Sequence, residues 1–339
     1  MPYYSEEVEK NTQYRNDYKR SLEAFVERCN AEATARRDAF MSPESYAADP
    51  EKYRQYFIDM MGFPLRASRD EKIAVDKHFV ARDGNVDIWR MQLTIMGIKF
   101  YGMYFVQVEE PEKAPFVVGL HGGSGTPEIV SSIHHNSSNY NHLVRRLTDR
   151  GCNVFCPQLY LWDAEMYGDA PERAELHHRM LMLGGSATSL ELFLLSRSVD
   201  YFVDNENINA DRIGVAGLSY GGQFSLDLAA YDTRVKACAA QAQFADRYAY
   251  PERDWSYPNA LNTISDAEKA ALVAPRALLL NMGDHDWIYD AEPSVRESKR
   301  AEKFFEAMGV PEKYDFYVFD GSHETDPSDR WVDFLLKYL

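Results

Sequence analysis

Cysteine is scarce in this 339-residue chain, which has only Cys29, Cys152, Cys156 and Cys238. So few thiols do not make a disulfide-stapled scaffold. Cys152 and Cys156 flank Asn153-Val154-Phe155 in one apolar run, too far apart along a strand to pair locally. No Cys/His set has zinc spacing. Reduced thiols, no metal and a cytoplasmic location are the expectations. Basic charge is short as well: 37 Lys+Arg face 53 Asp+Glu, a formal net charge of -16. Nucleic acid and anionic membrane surfaces both require basic patches, so neither is an expected partner. No run of about 18 apolar residues occurs, and a membrane-spanning helix is not expected. The opening MPYYSEEVEKNTQYRNDYKR has no apolar core of a secretory signal. Repeats and low-complexity segments are absent too.

The chain does have material for a large core, with 45% hydrophobic and 13% aromatic residues. Its first part is helical and polar. Tyr18, Leu22, Phe25 and Cys29 form one apolar stripe at helical spacing. The pattern breaks over residues 42–50, resumes over 51–60 and ends at Gly62-Phe63-Pro64. Residues 1–75 read as a helical extension on the main body or on a second subunit of a homo-oligomer, and 76–339 as the main domain. Strand-like runs follow at 77–81, 86–96 and 98–107, separated by Asp83-Gly84 and by Gly97 as in antiparallel hairpins.

After Pro111 the rhythm becomes strand, loop, helix. Strands are predicted at 116–120, 154–156, 213–216, 235–240, 277–282 and 314–319. Helices are predicted around Tyr140 to Leu147, and over 186–203, 291–308 and 328–339. This alternation implies an α/β fold, with a mostly parallel sheet and helices on both faces. In such sheets, sites lie at the carboxyl ends of strands.

One strand runs into Gly217-Leu218-Ser219-Tyr220-Gly221, the G-x-S-x-G pattern that lifts a serine oxygen above a sheet on a strained turn. A serine nucleophile needs a base, and the base needs an orienting group. The strand at 277–282 enters Gly283-Asp284-His285-Asp286, an acidic loop, and the strand at 314–319 enters Asp320-Gly321-Ser322-His323. Serine, acid, histidine is the hydrolase order. An earlier strand ends in Leu120-His121-Gly122-Gly123-Ser124-Gly125, where an oxyanion-binding loop belongs, with the N–H of Tyr220 as the other donor. Each piece alone has a plain reading as a βα turn or a solvated loop residue. Together and in order, they point to a catalytic serine site.

On LHGGSG, GLSYGG, NMGDHDWIYD and DGSHE, the chain resembles the α/β-hydrolase superfamily. More narrowly it resembles the dienelactone-hydrolase-like and acetyl-xylan-esterase-like branch, over roughly Pro115 to Leu339. The resemblance implies an α/β-hydrolase fold with antiparallel N-terminal strands and no cofactor. It implies Ser219 as nucleophile, His323 as base and Asp286, rather than Asp284, as acid. It places Gly122, Gly123 and Tyr220 at the oxyanion hole. Dienelactone hydrolases use cysteine as nucleophile, so Ser219 points instead to general ester hydrolysis. A small-molecule ester is the expected substrate, tilted towards short acyl groups such as acetyl on sugars.

Trp287, Trp162, Tyr160 and Trp255 are candidate substrate-binding aromatics, though packing would explain them as well. Residues 244–260 are a candidate flap. His134-His135 and His177-His178 are adjacent pairs that point apart, expected in loops or on the surface rather than at a metal. Two alternatives stay open: a serine peptidase, and a non-catalytic binding protein on a hydrolase scaffold.

Overall fold

The computed structural model describes residues 4, 7–133, 138–161, 171–206, 208–251 and 253–339. Among them nine strands form: β1 (Ala74–Asp83), β2 (Val86–Ile95), β3 (Ile98–Gln107), β4 (Phe116–Leu120), β5 (Asn153–Pro157), β6 (Ile213–Leu218), β7 (Val235–Gln241), β8 (Ala277–Gly283) and β9 (Tyr314–Phe319). They make one sheet in the order β1-β2-β3-β5-β4-β6-β7-β8-β9. The first three pair antiparallel, as does β3 with β5, and every pairing from β5 to β9 is parallel. This is the mixed, mostly parallel sheet that the hydrolase resemblance implied.

Helices cover both faces. In chain order they are α1 (Val8–Ala31), α2 (Ala33–Phe40), α3 (Pro43–Ala48), α4 (Pro50–Met61), α5 (Pro127–Val130), α6 (Leu143–Asp149), α7 (Pro171–Met182), α8 (Ala187–Asn205), α9 (Tyr220–Tyr231), α10 (Asp266–Ala271), α11 (Ala291–Ala307) and α12 (Arg330–Lys337). Alternation along β4 shows how the layers are built. Phe116, Val118 and Leu120 join a cluster with Leu192, Phe193 and Phe224 of α8 and α9. Val117 turns the other way, to Val144 and Leu147 of α6 and Trp331 of α12. Strands covered on both faces must be apolar throughout, and β4, β6 and β8 are buried along their whole length. The edge strand β1 is mostly exposed and carries Lys77, His78 and Arg82, charges that discourage edge-to-edge pairing.

The N-terminal region departs from the sequence reading in one place. α3 forms inside the stretch where the periodicity breaks, because Ser42 and Ser45 make a reciprocal capping box and Pro43 opens the helix. Tyr46, Tyr53 and Phe57 of α3 and α4 are fully buried in the main core, and Tyr46 donates to the Ala274 carbonyl at 3.0 Å. These helices are built into the body. α1 is the opposite: it buries no residue, and Tyr18, Leu22 and Phe25 are 66%, 48% and 57% exposed. Among the described residues, no helix is long and apolar enough to cross a membrane.

Candidate active site

β4 lies between β5 and β6. The chain leaves β4 on one side and returns to β6 on the other, so the strand order reverses there and a crevice opens at the carboxyl ends. His121 follows β4, and Ser219 follows β6.

Ser219 stands between strand and helix at φ 58° and ψ -119°, a conformation that L-residues adopt only when the surroundings impose it. Its N–H donates to the Gln241 carbonyl at 2.9 Å, and its hydroxyl makes no capping bond to α9. The flanking glycines answer to close approach. A Cβ on Gly221 would overlap the carbonyls of Leu120 and His121, and one on Gly217 would overlap the carbonyl of Gly221. Helix α9 therefore starts hard against the end of β4, which brings the elbow and the His121 loop together.

His323 follows β9 and is 5% exposed. Its Nδ1 lies 2.8 Å from Asp286 Oδ2. The other carboxylate oxygen of Asp286 accepts from the N–H groups of Ile288 and Tyr289 at 2.8 and 3.2 Å. An imidazole that donates from Nδ1 to a carboxylate keeps Nε2 as its acceptor. Asp284, the other acid of the loop, turns to solvent and accepts from Gly321 N–H at 3.1 Å. The histidine loop reaches back across the sheet towards the elbow: Asp326 N–H donates at 3.1 Å to the side chain of Gln241, whose carbonyl holds Ser219.

His121 is fully buried. Its Nε2 accepts from Leu159 N–H at 2.9 Å, so the ring proton is on Nδ1, 2.8 Å from the Gly122 carbonyl. Gly122 lies in the same loop. Its N–H donates to the Tyr140 hydroxyl at 2.7 Å. Gly123 N–H has no acceptor among the described residues. Tyr220 is the first residue of α9, where helical N–H groups point out of the helix end.

The four aromatic candidates separate. The Trp287 indole is 70% exposed and its centroid lies 5.4 Å from that of His323. Tyr160 is half exposed. Trp255 is buried and packs at 4.4 Å on the Tyr220 ring, a brace beneath the elbow rather than a surface. Trp162 and His134-His135 lie outside the described residues. His177 is buried on α7 and is not a loop residue, and burial lowers its pKa. Much of 244–260 is pinned rather than free to flap: Arg247 pairs with Asp266 and Asp254 with Arg173. On the exposed rim, ligand atoms of Asp284, His285 and Asp320 lie within 4.8 Å of one another. Cys152, Cys156 and Cys238 are buried in the core, and burial pushes the Cys152 thiol up to about 12.

One buried group escaped the sequence reading. The Tyr220 hydroxyl donates to Asp254 Oδ1 at 3.1 Å, and Arg173 donates to Asp254 Oδ2 at 2.8 Å. Arg173 also holds Glu191 and the Tyr160 carbonyl, at 2.5 and 2.7 Å. Burial alone would lower the pKa of Arg173, but the two carboxylates raise it overall. The network ties the residue after the serine to the loop after β5.

Comparisons with known proteins agree with this architecture. Bacillus subtilis YtaP, named as a candidate hydrolase, is 26% identical over 188 residues, 51% of this chain and 62% of its own. The chain thus spans less than two thirds of that curated relative. A structure from Bacteroides fragilis NCTC 9343, named as a candidate acetyl xylan esterase, has a TM-score of 0.67 at 15% identity, covering 82% of this chain and 76% of its own. A glucuronoyl esterase from Solibacter usitatus has a TM-score of 0.66 at 14% identity, covering 88% and 94%. At such identities the structures share the fold. The model of the dienelactone hydrolase family matches residues 106–317, from β3 to within β9 and across both the elbow and the acid loop. With that match over more than half of its length, the chain belongs to the dienelactone hydrolase family.

Proposed function

We propose that the chain is a carboxylic ester hydrolase working through an acyl-enzyme on Ser219. The observation that carries the reading is a serine held in a strained turn on the carboxyl edge of the sheet, with a buried His323–Asp286 pair at 2.8 Å on a loop tied back to that turn.

In this reading His323 Nε2 takes the hydroxyl proton as Ser219 Oγ bonds to the ester carbon. The carbonyl π pair moves onto oxygen, and backbone N–H groups stabilise that charge. The tetrahedral species collapses by breaking the bond to the alcohol oxygen, which takes the proton from His323. Water then repeats the sequence on the acyl-enzyme, releasing the acid and restoring the serine. Asp286 keeps the imidazole in one tautomer and stabilises the imidazolium.

Support for a sugar ester comes from Trp287. Its exposed indole stands beside the imidazole that protonates the leaving alcohol. A flat aromatic face suits the apolar face of a sugar ring, and the names of both structural relatives refer to carbohydrate esters. The test is a p-nitrophenyl ester series from acetyl to octanoyl, followed by acetylated sugars, with Ser219→Ala as the control. The expected result is hydrolysis that falls with acyl length, disappears in the variant and extends to acetylated sugars. Turnover surviving in Ser219→Ala, or none on any ester, contradicts the reading.

A further inference from the structure

We infer that Tyr140 is a positioning residue of the oxyanion hole, and that Gly123 rather than Gly122 supplies the loop's N–H. This rests on the esterase reading and extends it to a residue outside the motif.

Two successive peptide groups of the loop are fixed by two side chains. Tyr140 Oη accepts from Gly122 N–H at 2.7 Å, which sets the peptide between His121 and Gly122. His121 Nδ1–H meets the Gly122 carbonyl at 2.8 Å, which sets the next peptide. In a trans peptide the N–H points opposite to the C=O. Gly123 N–H is therefore aimed away from His121. The loop lies against the nucleophile: a Cβ on Gly122 would be 3.1 Å from Ser219 Cβ and 3.4 Å from Tyr140 Oη. Serine, loop and phenol meet in one small volume. Gly125 completes the arrangement, because a Cβ there would overlap the Tyr140 hydroxyl. The last glycine of the HGGSG motif thus makes room for a side chain, not for an oxyanion.

Tyr140 is 4% exposed, and its chain neighbours bind the histidine loop. Thr325 N–H donates to the Asn139 carbonyl at 2.8 Å, and Asn141 Nδ2 donates to Glu324 Oε2 at 2.8 Å and to the Thr325 carbonyl at 2.5 Å. Residues 139–141 therefore staple the oxyanion loop to the segment directly after His323. The base and the charge-stabilising donor share one mount.

The test is Tyr140→Phe in the full chain, which removes the acceptor and keeps the ring. With p-nitrophenyl acetate, kcat is expected to fall about 10-fold and KM to stay within about 2-fold, less than the 100-fold or more that follows loss of a direct oxyanion donor. Affinity for a trifluoromethyl ketone, which forms a tetrahedral oxyanion on the serine, should fall by the same factor. The pH midpoint of kcat/KM should not move. Should Tyr140→Phe fold poorly, Gly125→Ala displaces the hydroxyl with Tyr140 retained and should show the same pattern. Unchanged kcat and unchanged ketone affinity overturn the inference. A fall of 100-fold or more overturns it as well, since the phenol would then be a direct donor. An inactive wild type sinks the esterase reading and this inference together. An active wild type beside an unaffected variant sinks this inference alone.

Discussion

Asp284 and Asp286 sit two positions apart in one loop, and their surroundings separate them. Asp286 is committed on both oxygens, to His323 and to two backbone N–H groups, and its side chain is inaccessible. Asp284 has a side chain 45% exposed. Asp286→Asn should cost kcat about 10,000-fold, as loss of the orienting acid does in serine hydrolases. Asp284→Asn should stay within about 3-fold, because surface changes away from the chemistry are mild. Steady-state kinetics on one short ester decides between them, and equal losses would contradict the assignment. At this scale the sequence was most informative where chemistry demands a residue type at a fixed place: a serine between glycines, an acid and a histidine just past strands. Tyr140 left no such trace. It lies in the run Asn-Ser-Ser-Asn-Tyr-Asn, and its role depends on a contact 18 residues away with Gly122. Residue order alone does not encode that contact.

At the scale of elements, a buried ion cluster joins α2 to α10 and α11. Arg37 donates to Glu297 at 3.1 Å, and Arg300 donates to Glu268 at 2.8 Å. Burial lifts the Glu297 carboxyl from its ordinary 4.5 to about 7, against the opposing pull of Arg37. An acid raised in the folded state contributes its full stability below pH 4.5 and loses it as pH rises through 7. The contribution of Glu297 to Tm should therefore decline between pH 4.5 and about 7 and level off above that, and Glu297→Gln should flatten that decline. A slope identical to wild type would show that Glu297 does not titrate there. The inner strands are legible in the sequence, since burial on both faces makes β4, β6 and β8 continuous apolar runs. α7 was not found, and the reason is specific. Among its described residues the buried face is Arg173, His177 and Met180, mostly polar, so the helical period leaves no hydrophobic trace. α3 hid for another reason: six residues are too short for periodicity, and only its caps announce it.

For the whole molecule, a net charge of -16 and one continuous sheet describe a body to which α1 adds no buried side chain. Tolerance to truncation follows burial. A chain lacking residues 1–31 should keep ester hydrolysis within about 2-fold of the full chain, because α1 buries no side chain. Mass in solution for the two chains reports on the exposed stripe of Tyr18, Leu22 and Phe25. An assembly held by α1 falls apart on truncation, whereas an unchanged mass shows that the stripe joins no second copy. The central claim is covalent chemistry at Ser219, and its most direct test is the intact mass of the acid-quenched enzyme during turnover of p-nitrophenyl acetate, with peptide mapping. The account predicts one acetyl group per chain, on the peptide carrying Ser219, and none in Ser219→Ala. An acetyl group on another residue, or turnover of the ester with no adduct at any quench time, would contradict it.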